Sequence, residues 1–184
     1  MAAERPARAA KAAAFTIRTD ADAAEFVSAA DLVALTTAAT AATFEADWLS
    51  EDQRAANRET VARSAAVCLA AARSRAQLFA AAFDPEGLAG FVVATRHGPG
   101  DHELDWLMVH PRVHGTGIAD ALMLRGVEWL GADRPIWLNV LRHNERAIRF
   151  YRRFGFSIDH TAPAPHAIPQ WIMRRPPSPL DPRR

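Results

Sequence analysis

The sequence predicts one mixed α/β domain, a twisted mixed β-sheet of about six to seven strands flanked by about four helices. The chain has 184 residues, of which 49% are hydrophobic, and this suits a single domain with its own core. Strand, two helices and three strands come first, and strands and helices alternate afterwards. This order of elements is typical of a mixed sheet covered by helices.

The first quarter of the chain predicts a strand and a helix. Residues 15–18 suit a short strand, and Thr19 or Asp20 can cap a helix that runs through Phe26 and Ala30 to Leu35. The helical period is lost over residues 36–49, so this segment is expected to connect the first helix to the second.

The next segment predicts a long helix and a hairpin. Ser50 and Gln53 form a capping-box pair that opens a helix ending near residue 74. Pro at the second and Gly at the fourth position of the sequence 84–87 favour a tight turn. The hairpin strands are expected at 78–83 and 88–95.

The second half of the chain alternates strands with helices. A turn over 97–100 precedes the first of these strands, and Gly131 and Gly155 are expected to end the two helices. Strands are expected at 102–109, 136–140, 156–160 and 170–174, and helices at 116–130 and 144–154.

Composition excludes several classes of protein. The net charge of +1 predicts no general attraction to nucleic acid or to membranes, and no apolar run is long enough to span a bilayer. The seven histidines lack the spacing of metal ligands, so no metal site is expected. Cys68 is the single cysteine and lies in an apolar helical pattern, which favours a packed core thiol.

The chain ends predict tails around one domain. Residues 1–14 are rich in Ala and Arg without the apolar stretch of a secretory signal, and residues 176–184 hold four prolines, so both segments are expected to be disordered. Residues 15–175 would then form the domain. Lys11 is the only lysine, and this bias toward Arg and Ala indicates a GC-rich bacterial genome. Because no secretory signal and no membrane span are recognised, a cytoplasmic protein is expected.

A glycine turn follows the strand expected at 102–109. Glycines let the backbone turn tightly and bring its N–H groups toward a ligand, and the following helix adds free amides and the positive end of its dipole. A diphosphate suits such a site, although a plain strand-to-helix turn has the same pattern. The P-loop and Rossmann motifs are both absent. The turn reads His114, Gly115, Thr116, Gly117, Ile118, Ala119.

A second motif begins at Asn144 and contains Tyr151, the single tyrosine of the chain. From the residues alone, Asn144 can cap the helix and Tyr151 can pack against its neighbours. The same helix carries a row of arginines that could face solvent, bind nucleic acid or hold a phosphate. These arginines are Arg142, Arg146, Arg149, Arg152 and Arg153.

Together the two motifs resemble those of the GNAT superfamily of N-acetyltransferases. The signature N-x-x-A-x-x-F-Y-x-x-x-G-F is matched at every defined position over 144–156. Gly117 and Ala119 match the family's glycine turn, whereas His114 stands where Arg or Gln is usual. Thr43-Phe44-Glu45 and Trp137-Leu138 are faintly similar to the polyamine acetyltransferase branch.

The resemblance implies a GNAT-like sheet, splayed at its centre for coenzyme A, and acetyl-CoA as co-substrate. The backbone of Leu107, Met108 and Val109 would pair with the pantetheine arm as an added strand does. The glycine turn 114–119 would hold the diphosphate, with Asn144 and Tyr151 beside the cofactor. The arginine row could contact the 3′-phosphate. No metal is implied.

The resemblance also assigns catalytic roles. Tyr151 would protonate the leaving thiolate, because a phenol of pKa about 10 can serve a thiol of pKa about 8.5. Glu103 is the first candidate for the base that takes a proton from the acceptor amine, and Asp105 is the second. Strict alternation would place Glu103, Asp105, Leu107 and Val109 on one face of their strand, although both acids could also be ordinary surface groups.

The acceptor is expected to be a primary amine of a small molecule. The connection between the first two helices would cover it, so Phe44, Glu45, Asp47 and Trp48 are the candidate substrate contacts. The alternatives are acetylation of a protein N-terminus or lysine, and a non-catalytic acyl-CoA-binding regulatory module. The resemblance also allows a homodimer.

Overall fold

The computed structural model describes residues 14–163 and 168–179, and within them five helices and seven strands follow one another. A short 3-10 turn, Pro111–Val113, precedes the fourth helix. The elements are β1 (Thr16–Thr19), α1 (Asp20–Ala24), α2 (Ala29–Phe44), α3 (Glu51–Ala71), β2 (Gln77–Asp84), β3 (Gly87–Gly98), β4 (Asp101–Val109), α4 (Ile118–Leu130), β5 (Ile136–Leu141), α5 (Glu145–Arg153), β6 (Ser157–Asp159) and β7 (Gln170–Arg175).

The described strands form one mixed sheet in the order β1-β2-β3-β4-β5-β7-β6. Neighbouring strands are antiparallel except β4 and β5, which run parallel. The predicted fold class, a twisted mixed sheet flanked by helices, is therefore confirmed.

Helices cover both faces of the sheet. Side chains of α4 and α5, among them Leu122, Val127 and Ile148, pack on one face with Val92, Leu104 and neighbouring strand residues. The other face is covered by α1, α2 and α3, where Leu32 and Cys68 pack with strand residues of β2 and β3. We call these two sides the α4–α5 face and the α1–α3 face.

The first predicted helix is in fact two helices. α1 ends at Ala24, and α2 begins after Ser28, whose hydroxyl accepts the backbone N–H of Asp31 while the Asp31 carboxylate accepts the N–H of Ser28. This capping box starts a new helix in place of the expected continuous one. The helix then continues to Phe44, so the prediction of a connection beginning at residue 36 was wrong.

The extension of α2 has a physical reason. Its C-terminal half is built of Ala and Thr, which give no clear apolar period. Thr36 and Thr40 are nevertheless buried, and their hydroxyls donate to the carbonyls of Leu32 and Thr36, at 2.7 Å in each case. The helix therefore buries small polar side chains whose hydrogen bonds are satisfied within the helix.

The remaining elements match the sequence predictions closely. The capping box of Ser50 and Gln53 opens α3, which ends at Ala71, three residues before the predicted end. The segment 97–100 was predicted as a turn, but His97 and Gly98 belong to β3. Residues 1–13, 164–167 and 180–184 lie outside the described part, and so does most of each predicted tail. The backbone N–H of Ser178 donates to the carbonyl of Ala132 at 2.9 Å.

No helix within the described residues is long and apolar enough to cross a membrane. The same residues hold no group of three or more His, Cys, Asp or Glu side chains placed to bind a metal ion.

Candidate active site

The predicted glycine turn forms an open cradle at the start of α4. Gly115 and Gly117 have φ values of +84° and +91°, which L side chains rarely adopt. A Cβ added at either glycine would meet no atom within 4 Å, so the space above this backbone is free. Gly117 is the N-cap of α4 and has no side chain to satisfy the first-turn amides. The cradle therefore offers unpaired N–H donors, which suit an anion such as a diphosphate.

The cradle opens into a groove of about 410 Å³. Five of the eleven predicted cofactor residues line the groove. Within the glycine turn, the side chains of Thr116 and Ile118 point elsewhere. The Thr116 hydroxyl donates to the carbonyl of Val113 at 2.8 Å, and the Ile118 side chain is fully buried in the core. The five lining residues are Val109, His114, Gly115, Gly117 and Ala119.

Arginines of α5 complete the opposite wall of this groove. Arg146, Arg149 and Arg153 line it, and Arg153 also pairs with Asp120 at 2.8 Å. Desolvation lowers the pKa of His114, and the positive charge of Arg146 lowers it further, while a hydrogen bond to the Val109 backbone opposes both effects. A neutral imidazole at this position leaves the arginines as the cationic groups of the groove, where they can balance phosphate charge.

The sheet opens beside this groove. β4 and β5 pair at a single point, Glu103 with Trp137, and no further pairing joins them within the described residues. Leu107, Met108 and Val109 pair with β3 on one side, and their edge toward β5 is unpaired. This seam presents the free backbone groups that an extended ligand arm could use as an added strand does.

Glu103 lies at the closed end of the seam, on the α1–α3 face. Its side chain is 10% exposed; one carboxylate oxygen lies 2.6 Å from His97 Nε2, and the other accepts from Asn139 Nδ2 at 3.4 Å. Burial raises the pKa of Glu103, and the His97 hydrogen bond opposes part of that rise. A carboxylate with a raised pKa is a better proton acceptor than an ordinary surface glutamate.

Asp105 sits on a β-bulge in β4. Val93 pairs with Trp106 and Ala94 pairs with Leu104, so Asp105 is the extra residue. Although its side chain keeps contact with solvent, the surrounding protein desolvates it and raises its pKa to about 7, with the Glu103 charge as the second cause. Two neighbouring carboxylates with raised pKa values are typical of a site that handles protons.

The bulge overturns the predicted alternation. Leu104, Leu107 and Val109 pack on the α4–α5 face, whereas Trp106 and Met108 pack on the α1–α3 face. Glu103 precedes Leu104 and is therefore directed to the α1–α3 face. The prediction that Leu107 and Val109 share a face with Glu103 was wrong, because one inserted residue shifts the alternation of all residues beyond it.

Tyr151 belongs to the opposite face of the sheet. It is 9% exposed and packs in the core with α4, near the rings of Phe150 and Phe156. Burial raises its pKa to about 12, so the phenol keeps its proton at neutral pH. Within the described residues its hydroxyl makes no hydrogen bond, and its oxygen is not completely shielded from solvent. Asn144 accepts the N–H of Ala147 at 3.1 Å and so acts as the cap of α5.

Of the four predicted acceptor contacts, Phe44 and Trp48 lie near the connection from β5 to α5. Phe44 packs against Leu49, Leu141 and Ile168, and Trp48 is 60% exposed with its ring 4.5 Å from that of His143. The two remaining predicted contacts, Glu45 and Asp47, are exposed, and Glu45 lies 3.9 Å from Arg58.

Three partners of the acidic strand were missed by sequence reasoning. His97, Trp137 and Asn139 surround Glu103, with the His97 and Trp137 rings stacked at 6.0 Å. Side-chain alternation along β5 could have predicted that Trp137 and Asn139 share one face of the strand. Nothing in the sequence indicated that this face lies beside Glu103. The arginines of the groove were visible in the sequence as a helical row.

Comparisons with known proteins agree with this architecture. The family model described as "Acetyltransferase (GNAT) family" matches residues 37–156, more than half of the 184-residue chain. The chain belongs to the GNAT acetyltransferase family. The match contains the bulged strand, the glycine cradle and Tyr151.

Relatives and solved structures extend the comparison. Uncharacterized N-acetyltransferases of Mycobacterium bovis and Mycobacterium tuberculosis are 41% identical over 78 residues, which cover 40% of this chain and 49% of each relative. The chain thus spans about half the length of these relatives. The PaiA N-acetyltransferase of Thermoplasma acidophilum, solved in complex with coenzyme A, has a TM-score of 0.68 at 20% identity and covers 89% of this chain and 99% of its own. An acetyltransferase of Streptococcus agalactiae has a TM-score of 0.63 at 16% identity, with 88% and 97% covered.

Proposed function

We propose that this GNAT family member transfers an acetyl group directly from acetyl-CoA to a primary amine of a small molecule. The observation that supports the proposal is that Glu103 lies at the point where β4 and β5 pair, on the α1–α3 face, while Tyr151 is buried on the opposite face of the sheet. A thioester held in that seam would have a proton acceptor on one side and a proton donor on the other. Direct transfer needs no enzyme nucleophile, because a thioester is already activated.

The residues present fit coenzyme A. The cradle of Gly115 and Gly117 offers free amides and open space for a diphosphate, and Arg146 and Arg149 add positive charge across the groove. The free edge of β4 from Leu107 to Val109 suits the amide groups of the pantetheine arm. The coenzyme A complex of the Thermoplasma acidophilum protein of the same fold supports this assignment.

In this proposal Glu103 and Asp105 prepare the acceptor. An amine is protonated at neutral pH and must lose a proton before its nitrogen can attack the thioester carbon. Glu103, buried and carrying a raised pKa, would take that proton directly or through a water molecule. Asp105 lies two residues away and its charge would attract the ammonium form into the site.

Tyr151 would complete the transfer on the other face. As the carbon–sulfur bond breaks, the thiolate needs a proton or a strong hydrogen bond. The buried phenol stays protonated at neutral pH, and its hydroxyl is not engaged elsewhere in the described structure. An intact donor in this position favours an enzyme over a non-catalytic acyl-CoA-binding module.

A small acceptor is favoured over a protein chain by one contact. His143 Nε2 lies 3.2 Å from the carbonyl oxygen of Thr43, and the Trp48 ring packs on the same histidine. The end of α2 and the α2–α3 connection thereby lie against the β5–α5 connection, and we expect this contact to narrow the approach to the seam. Acetyl-CoA is a cytoplasmic metabolite, so we place this activity in the bacterial cytoplasm.

A release assay tests the proposal. Free coenzyme A thiol is measured with acetyl-CoA and a panel of putrescine, phenethylamine, glucosamine and a short peptide with a free N-terminus. We expect amine-dependent thiol release that is fastest with a small amine. Preference for the peptide would support the protein-acceptor alternative. Binding of coenzyme A without release for any amine would support the regulatory module.

A further inference from the structure

The end of the β3–β4 hairpin is irregular on both sides of Glu103. Besides the bulge at Asp105, the pairing shifts again between Arg96 and Gly98, so His97 is an extra residue of β3. Bulges beside active sites commonly redirect a side chain. Here the second bulge accompanies the contact of the His97 ring with the Glu103 carboxylate.

His97 joins a buried acid to the surface. The contact from Nε2 to the Glu103 carboxylate is 2.6 Å, and the exposed fraction is 42% for the His97 side chain and 10% for that of Glu103. The imidazole stacks on Trp137 with an interplanar angle of 20°, and the indole donates to Asp101 at 2.7 Å. The ring is therefore held in one orientation, with Nε2 in contact with the Glu103 carboxylate.

The chemistry of the proposed reaction requires an exit for one proton. An ammonium and acetyl-CoA give an amide, a free thiol and one proton, because one of the two protons lost by nitrogen goes to sulfur. The other proton must leave Glu103 before the next turnover. Of the two hydrogen-bond partners of Glu103 in the described structure, Asn139 cannot carry a proton, whereas His97 can.

We propose that His97 carries the proton from Glu103 to solvent after each acetyl transfer. The inference rests on the proposed function, since it assigns a step to the same site. In the step, the protonated Glu103 carboxyl gives its proton to His97 Nε2 and becomes a carboxylate again. The imidazolium then loses one proton to water or buffer, and the neutral ring returns to the tautomer with Nε2 unprotonated before the next turnover. His97 is a positioning and relay residue that acts through Glu103.

The charges around His97 favour this role. The carboxylates beside it come from β4: Glu103 is in direct contact, Asp105 lies within range of its charge, and Asp101 accepts from the Trp137 indole that stacks on the ring. Trp137 brings an uncharged ring from β5, and Arg96, the cationic neighbour in β3, is turned away and stacks on Trp129 of α4. A transient positive charge on the imidazole is therefore surrounded by acids, without an opposing cation among these groups.

Two substitutions distinguish a His97 that carries a proton from a His97 that only holds Glu103 in position. His97→Gln keeps a hydrogen-bond donor for Glu103 but cannot carry a proton, and His97→Ala leaves space for free imidazole. With the best amine of the panel, we expect His97→Gln to lower kcat by about 10-fold or more, with KM for acetyl-CoA unchanged. The rate of His97→Ala should rise with added imidazole, and its pH profile should follow the added base.

A matched control is His160→Gln, since His160 is an exposed histidine packed on Trp171 at the far edge of the sheet. It should keep wild-type turnover. Wild-type turnover in His97→Gln, or no response of His97→Ala to imidazole, would overturn the relay. A wild-type protein inactive toward the whole panel would instead overturn the proposed function, and the relay with it.

Discussion

Two carboxylates on one strand differ because their surroundings differ. Glu103 is buried and held by two hydrogen bonds, whereas Asp105 stands on a bulge with solvent contact and no hydrogen bond in the described structure. Both pKa values are raised, chiefly by desolvation, but the His97 contact restrains that of Glu103. We infer that Glu103 is the working base and that Asp105 acts through its charge.

Asp105 should make stability depend on pH. Its pKa rises from 3.8 to about 7 on folding, so the folded state binds this proton more tightly. The resulting stabilisation is complete below pH 4 and is lost as pH rises through about 7. Asp105→Asn should therefore raise the melting temperature relative to wild type at pH 8 and change it little at pH 4. Asp47→Asn, an exposed loop acid, serves as control; equal shifts in both variants would contradict the assignment.

Glu103→Gln should lower turnover by about 10²-fold or more, because the amide cannot take a proton from the acceptor. In wild type, activity should fall as pH falls through the raised pKa of Glu103, and this acidic limb should be lost or moved in the variant. Rates measured across pH with one amine check the prediction. An unchanged profile would mean that the base lies elsewhere.

Tyr151→Phe should slow acetyl transfer by about 10²–10⁴-fold while keeping coenzyme A affinity. The ring contacts with Phe150 and Phe156 are retained, and the hydroxyl makes no hydrogen bond in the described structure, so the melting temperature should change little. Turnover and melting are measured on the same sample. Full turnover with a lowered melting temperature would assign Tyr151 to packing alone.

At the scale of elements, local signals were predictable and inserted residues were not. The capping box of Ser50 and the helix end at Gly131 depend only on residues close in sequence, and the structure has both. The break before α2 carried the same kind of signal at Ser28 and Asp31. The bulge at Asp105, by contrast, depends on how β3 and β4 align, so alternation alone misplaced Leu107 and Val109.

The glycine cradle gives a prediction at this scale. Gly117→Val should abolish most of the stabilisation by coenzyme A, which is about 2.7 kcal/mol at a hundredfold excess over Kd. Gly87→Val is the matched control, because Gly87 also has a positive φ, of +110°, with open space around it, but lies in the β2–β3 turn. Thermal-shift titrations compare the two. Equal coenzyme A responses would argue against the cradle as the binding site.

At the scale of the whole molecule, the sheet separates the groove proposed for the cofactor from the acids proposed to prepare the acceptor. The α4–α5 face holds the groove and the phenol, whereas the α1–α3 face holds the acids, and the seam joins them. The splayed sheet was predicted from the family resemblance that the two motifs carry. The neighbours of Glu103 were not predictable, since they come from strands that meet only in the folded sheet.

One buried arginine, Arg175, connects the end of the described chain to neighbouring segments by hydrogen bonds. Arg175 is 3% exposed and donates to the carbonyls of Phe154, Ala132 and Ser178. Arg175→Gln should cost about 3 kcal/mol or more of unfolding free energy, because each of the three hydrogen bonds from the charged group is worth about 1.5–3 kcal/mol and partly buried carbonyls lose their donor.

Arg174→Gln is its control, since Arg174 is exposed and pairs with Asp159 at the surface, where ion pairs contribute little to stability. Chemical denaturation measures both variants. Equal losses of stability would contradict the role given to Arg175, and turnover should be unchanged in either variant.

We propose that this chain moves an acetyl group from acetyl-CoA to an amine. The most direct test uses acetyl-CoA with carbon-13 in the acetyl carbonyl and follows the label by NMR with the best amine of the panel. We expect an amide resonance that grows in step with free coenzyme A, with no label left on the protein. Coenzyme A binding without any labelled amide, or label retained covalently on the protein, would contradict it.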